Sequence, residues 1–158
     1  MSERSTLTEQ EISFVQEQRV ARLATADESG NPTLIPVCYA FDGTYFYSPL
    51  DEKPKLVEGT QLRRVHNIQV RPQVSLLIDR YDDDWSHLGY ILIHAHAQLI
   101  APDHERHARA LILLSERYIQ YRSMKLEYAP MIMLFPQRIV SWGMLLHKVS
   151  DSNSPLTQ

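Results

Sequence analysis

Residues 33–48 read Thr-Leu-Ile-Pro-Val-Cys-Tyr-Ala-Phe-Asp-Gly-Thr-Tyr-Phe-Tyr-Ser. Leu34, Ile35, Val37, Tyr39 and Phe41 mark 33–41 as a strand, and the aromatic run 44–48 marks another, since such side chains suit a pleated surface. Asp42-Gly43 between them is a strong hairpin signal, because the tight turns that join strands need residues tolerant of positive φ. Upstream, residues 19–26 (Arg-Val-Ala-Arg-Leu-Ala-Thr-Ala) form a strand and Ser29-Gly30-Asn31-Pro32 forms a turn. Three strands joined this closely predict an antiparallel meander.

Working outward, Thr8 and Glu11 have the spacing of a capping box, with Leu7 and Ile12 placed as a hydrophobic staple. They predict a helix ending near Gln18 that docks through Ile12 and Val15. Downstream, Leu62, Val65 and Ile68 recur at intervals of three and predict a helix over 61–68, with Arg63, Arg64 and Asn67 off that face. Arg71-Pro72 ends it. Residues 73–80 make a fourth strand and 89–100 a long fifth. In the fifth, Ile91, Ile93, Ala95, Ala97 and Leu99 share one face, and His94, His96 and Gln98 the other. Pro102 suits the first position of a helix striped by Ala108, Leu111, Leu114 and Tyr118. A sixth strand spans 131–142, bent at Phe135-Pro136. This pattern predicts a mainly β protein, a six-stranded antiparallel barrel with peripheral helices. Residues 1–149 form one domain, and the Ser/Asn/Pro-rich 150–158 a flexible tail.

The chain has 158 residues and a formal net charge of −3, which argues against nucleic acid as a partner. No apolar run approaches the ~18 residues of a membrane span, and the polar start with Glu3 and Arg4 is unlike a signal peptide, so a cytoplasmic location is expected. Cys38 is the single cysteine, so it has no intrachain partner, and its apolar surroundings suit a small hydrophobe.

Lys53, Lys55, Arg63, Arg64, His66 and Arg71 fall within nineteen residues, after Ser48 at the end of the third strand. Cationic donors of this kind, arginine above all, recognise the forked oxygens of phosphate. By charge alone, a solvated surface fits this segment better than a binding site. His94 and His96 offer two imidazoles on one face, yet no third ligand stands at a persuasive spacing. Asp82-Asp83-Asp84 lacks the glycine and distal glutamate of a calcium loop and reads as a solvated loop, with Arg80 beside it able to help discriminate against anionic substrates. No metal site is expected, and neither a Ser-His-Asp nor a paired-carboxylate constellation is evident.

Read in order, Arg-Val-Ala-Arg-Leu-Ala-Thr-Ala (19–26), Gly30-Asn31-Pro32, Ile35-Pro36-Val37, Phe41-Asp42-Gly43, Tyr45-Phe46-Tyr47-Ser48, Lys53-Pro54-Lys55, the run 62–68 and Pro72-Gln73-Val74-Ser75-Leu76-Leu77 resemble the pyridoxamine 5′-phosphate oxidase-like split-barrel family over about residues 12–100. The closing run 136–142, ending in Ser141-Trp142, is similar to that family's last strand. Asp79 to Trp85 resembles a subgroup described as probable users of the deazaflavin F420. The resemblance implies an FMN-binding split barrel, a homodimer with cofactor sites at the interface, and an oxidoreductase that moves a hydride between FMN or F420 and a small organic substrate. It implies that Pro36 and Val37 flank the ring system, that Tyr47 and Ser48 contact the cofactor, and that Lys53, Pro54 and Lys55 hold its phosphate with help from Arg63 or Arg64. It also implies that Trp85 and Trp142 stack near the ring from the partner subunit. A carrier of flavin or haem without turnover is the alternative, with His94 and His96 as candidate haem residues. The short C-terminal region argues against pyridoxamine phosphate oxidase itself.

Overall fold

In the computed structural model, which describes residues 3–50 and 58–143, the strand expected over 33–41 is divided by a bend. Its first part, β2 (Pro32–Val37), pairs antiparallel with β1 (Ala21–Ala26), with Val37 opposite Ala21. Its second part, β3 (Ala40–Phe41), pairs with β4 (Phe46–Pro49). β4 then pairs with the last strand, β7 (Met131–Gly143), through Phe46–Leu134 to Pro49–Met131. Between the two ends lie β5 (Gln73–Arg80) and β6 (Gly89–Ile100), giving the order β2-β1-β5-β6-β7-β4-β3. Neighbouring stretches of one bent strand thus occupy both ends of the antiparallel sheet, which curls until they meet at Cys38-Tyr39. This is a split barrel.

The bend explains two departures from expectation. Seven strands replace six because one is divided. The meander gives way to two hairpins at opposite ends of the sheet, because turn chemistry dictates who pairs across a turn but not which distant strand completes the ladder. Pro32 and Pro36 are tolerated in β2 because it has a partner on one side only.

The bend is held by a buried hydrogen-bonded hub. The Tyr118 hydroxyl accepts from the Tyr39 N–H (3.2 Å) and lies 2.8 Å from the Arg19 carbonyl. The Tyr39 hydroxyl donates toward the carbonyls of Val15 (2.6 Å) and Gln18 (2.9 Å). Arg117 donates to the Gln16 carbonyl (2.9 Å) and to that of Gln18, and its guanidinium lies 4.8 Å from the Tyr39 ring centre. Together they satisfy carbonyls at the end of α1 (Glu9–Glu17) that its own helix cannot. α1 starts as its sequence indicates: Glu11 N–H donates to Thr8 Oγ1 (3.2 Å) and Thr8 N–H to Glu11 Oε1 (2.9 Å). Its deepest anchor is Phe14, fully buried beside Val15, whereas Ile12 is only half-buried.

Inside the barrel, Leu23, Leu76, Ile78, Ile91, Ile93, Ile132 and Phe46 form the main core. The alternation in β6 holds from Ile91 to Ala97 and then slips, so that Ile100 is buried in place of Leu99. Ile100 belongs to a second cluster under α3 (His107–Arg117), with Tyr47, Leu114, Tyr118 and Tyr121. α3 begins five residues after Pro102; residues 101–106 form turns instead. Its inner face is His107, Ala110 and Leu114, and Ala108 is exposed. The bend expected at Phe135-Pro136 is a β-bulge, since His94 pairs with Arg138 but Ala95 with Pro136.

Candidate functional site

A cleft of about 130 Å³ opens where the two sheet ends meet. Pro36, Val37 and Cys38 line it from β2 and the bend, and Ser48 and Pro49 from β4. Arg64 enters from α2 (Glu58–Val70), and Val20 and Tyr121 complete the wall. Pro36, Val37, Ser48 and Arg64, singled out in the sequence from three separate segments, are thus brought together.

Neighbouring residues part company for geometric reasons. Arg64, 4% exposed, faces inward with Asn67 and Ile68, whereas Arg63 faces outward. Adjacent residues on a helix lie about 100° apart, so only one of the pair can enter the cleft. This corrects the expected helix face, in which Arg64 and Asn67 lay off the buried side. Asn67 donates to Thr25 Oγ1 (3.1 Å). His66 Nε2 lies 3.0 Å from the Glu28 carboxylate and Arg71 donates to the Glu28 carbonyl, so these two basic residues tie α2 to the β1–β2 turn.

Strand periodicity separates Tyr47 from Ser48 in the same way. Ser48 lines the cleft, and its hydroxyl donates to the Cys38 carbonyl (2.9 Å), stitching β4 to the bend. Tyr47 turns into the second core, where its hydroxyl donates to Asp42 (2.7 Å). Burial, aided by that carboxylate, pushes the Tyr47 phenol up to about 12. Burial works against the Asp42 carboxylate, but the N–H groups of Tyr45 and Thr44, the Tyr47 hydroxyl and Arg106 outweigh it and hold its pKa below the ordinary value. Lys53, Pro54 and Lys55 lie outside the described residues.

Trp85 and Trp142 do not line this cleft. Trp85 sits in a 3-10 turn (Trp85–His87) capped by Asp84 and is 73% exposed. Trp142, 54% exposed, stacks on Tyr90 with ring centres 5.9 Å apart. The acidic loop is solvated, with Asp82 3.3 Å from His87 Nδ1. Arg80 folds back to donate to the His87 carbonyl (3.0 Å), its guanidinium 5.2 Å from the Phe14 ring centre.

Both ring nitrogens of His94 are engaged, Nδ1 with Ser75 Oγ (3.2 Å) and Nε2 with Arg138 (2.9 Å). His96 packs edge-on against Phe135. Among the described residues no group of three or more His, Cys, Asp or Glu side chains could hold a metal, and no helix is long and apolar enough to cross a membrane. Val20, Cys38 and Tyr121 are cleft residues that the sequence did not single out. Tyr121 comes from a 3-10 turn (Ile119–Ser123) no local pattern connects with β2.

A curled antiparallel sheet closed by one bent strand, with a cleft at the closure, defines the split-barrel class. The chain belongs to the pyridoxamine 5′-phosphate oxidase family, whose model matches residues 7–142. A search of curated proteins gave no match. Among solved structures, the haem storage protein HutZ from Vibrio cholerae is 21% identical, with a TM-score of 0.65 over 88% of this chain and 98% of that one. A conserved hypothetical protein from Mycobacterium tuberculosis is 21% identical, with a TM-score of 0.67 over 90% of each chain. A FAD-binding protein from Mesorhizobium loti is 18% identical, with a TM-score of 0.59 over 86% of this chain and 93% of that one. At such identities the likeness is one of fold.

Proposed function

We propose that the chain is an oxidoreductase that binds the phosphate-bearing part of FMN or F420 in this cleft and works as a homodimer on a small organic substrate. The observation that carries this reading is the buried Arg64, set beside Ser48 and facing the Pro36–Val37 wall. A guanidinium in a low-dielectric wall is suited to forked phosphate oxygens. Lys53 and Lys55, which fall between β4 and α2 in the sequence, are the further cationic donors this reading assigns to the same anion.

The cleft fits part of such a cofactor. Its volume of about 130 Å³ is well below the roughly 300–1,000 Å³ of pockets that enclose a drug-sized ligand. A ring system therefore needs a second wall. The outer sheet face offers one on a partner molecule: Leu34 is 67% exposed, Val140 39% and Trp142 54%. Trp142, Tyr90 and Trp85 of a second copy would supply that wall, which agrees with their exposure in one chain. When bound, the cofactor supplies hydride chemistry; this chain's residues hold its anionic end, orient it and exclude water.

Titration of the purified protein with FMN, F420 and haemin tests the reading. A flavin or deazaflavin should bind below ~100 μM, about −5.5 kcal/mol. Lys55→Ala should weaken that binding tenfold or more, as expected for loss of a charge-assisted hydrogen bond of roughly 1.5–3 kcal/mol. Tight haemin binding with neither flavin nor deazaflavin bound would replace this reading with the carrier. Retained cofactor binding with no reduction by any electron source would remove the word oxidoreductase.

A further inference from the structure

Arg64 reaches the cleft only if α2 is turned correctly about its own axis, since its neighbour Arg63 faces outward. Contacts of different kinds hold that helix. On its exposed side, His66 Nε2 lies 3.0 Å from the Glu28 carboxylate and Arg71 donates to the Glu28 carbonyl (3.0 Å). Such solvated contacts between long side chains are weak and tolerate a range of rotations. On its buried side, Ile68 packs into the main core. The force that buries an apolar side chain has no direction of its own. Asn67 differs: its Nδ2 donates to Thr25 Oγ1 (3.1 Å) on β1, and the two residues are 1% and 4% exposed. A hydrogen bond is directional.

This buried pair costs the fold something. Asn67 Oδ1 is buried with no hydrogen-bond partner among the described residues. Taking an amide out of water with one atom unmet is unfavourable, and an apolar pair of the same shape avoids that penalty. What an apolar pair cannot supply is the direction. Asn67 stands three residues from Arg64 on the same buried face, so fixing Asn67 against β1 fixes the direction in which Arg64 leaves the helix. β1 in turn pairs along its length with β2, whose end supplies Pro36 and Val37 to the cleft.

We infer that Asn67 is a positioning residue: through Thr25 it sets the rotation of α2 that carries the Arg64 guanidinium into the cleft. For cofactor affinity this rests on the function proposed above; for the placement of Arg64 it does not.

The double variant Thr25→Val/Asn67→Leu replaces the pair by apolar side chains of similar shape and leaves neither partner unmet. Its unfolding midpoint in urea should equal or exceed that of the wild type. Two other readouts should change. Arg64 Nε is buried, so its N–H should give a slowly exchanging NMR signal, identified by its absence from Arg64→Lys. In the double variant that exchange should quicken tenfold or more, and FMN affinity should fall tenfold or more. Thr25→Ser, which keeps the hydroxyl, should retain wild-type values of both. Wild-type exchange at Arg64 in the double variant would overturn the inference, and so would a Thr25→Ser variant that behaves like the double variant. A double variant that does not fold would also overturn it, by making the pair a structural necessity. FMN that fails to bind the wild-type chain would sink the proposed function alone, because the Arg64 exchange rates still decide the role of Asn67. Faster exchange with unchanged FMN affinity would keep that role and remove Arg64 from the cofactor's contacts.

Discussion

The bend at Cys38-Tyr39 and the outer face of β6 and β7 are opposite kinds of surface. At the bend, Tyr39, Tyr118 and Arg117 satisfy one another and the end of α1, with Tyr39 and Tyr118 buried. On the outer face, Tyr90, Val140 and Trp142 are partly or largely exposed, and no described helix covers them. One region is finished within a single chain; the other keeps aromatic surface in water. The difference separates residues that hold the barrel shut from residues available to another molecule.

That division can be broken by substitution. Phe14→Ala empties a fully buried site where α1 meets the barrel, and should cost about 3–5 kcal/mol in denaturant unfolding. Tyr118→Phe removes one hydroxyl and leaves the Tyr39 N–H without its acceptor, so about 1–3 kcal/mol is expected. Trp142→Ala should change the stability of a single chain by only about 1 kcal/mol or less, yet weaken self-association and cofactor binding. A large loss of stability with association unchanged would reverse the roles assigned to the two regions.

A smaller, pH-dependent effect refines the comparison. Burial disfavours the Glu11 carboxylate, but the Arg4 guanidinium, the Thr8 N–H and the Ser141 hydroxyl outweigh it and lower its pKa. A group whose folded pKa is depressed stabilises above its unfolded value, about 4.3 for glutamate, and loses that contribution as pH falls through the folded value. Stability measured by urea unfolding should therefore decline below about pH 4, and Glu11→Gln should flatten that decline. Asp42 acts in the same direction.

Where the sequence was legible, local chemistry governed the outcome. The capping box at Thr8 and Glu11 and the strands over 73–80 and 89–100 formed as read. Pro36, Val37, Ser48 and Arg64, each singled out in the sequence, line one cleft. The bend was hidden because it answers to Tyr118, 79 positions away along the chain. α3 started late because a proline permits a helix start without requiring one. Tyr121 was missed for the same reason as the bend: tertiary contact put it in the cleft, and periodicity cannot report that.

The bent strand has a consequence for how the molecule reaches this shape. β1 and β2 are neighbours in sequence and can zip early, whereas the Phe46–Leu134 pairing must close a long loop. Because β2 and β3 are continuous, barrel closure joins the fast event to the slow one. Backbone amides of Ala40 and Tyr47 should then exchange with deuterium only through global opening, while those near the Asp27–Asn31 turn exchange by local fraying.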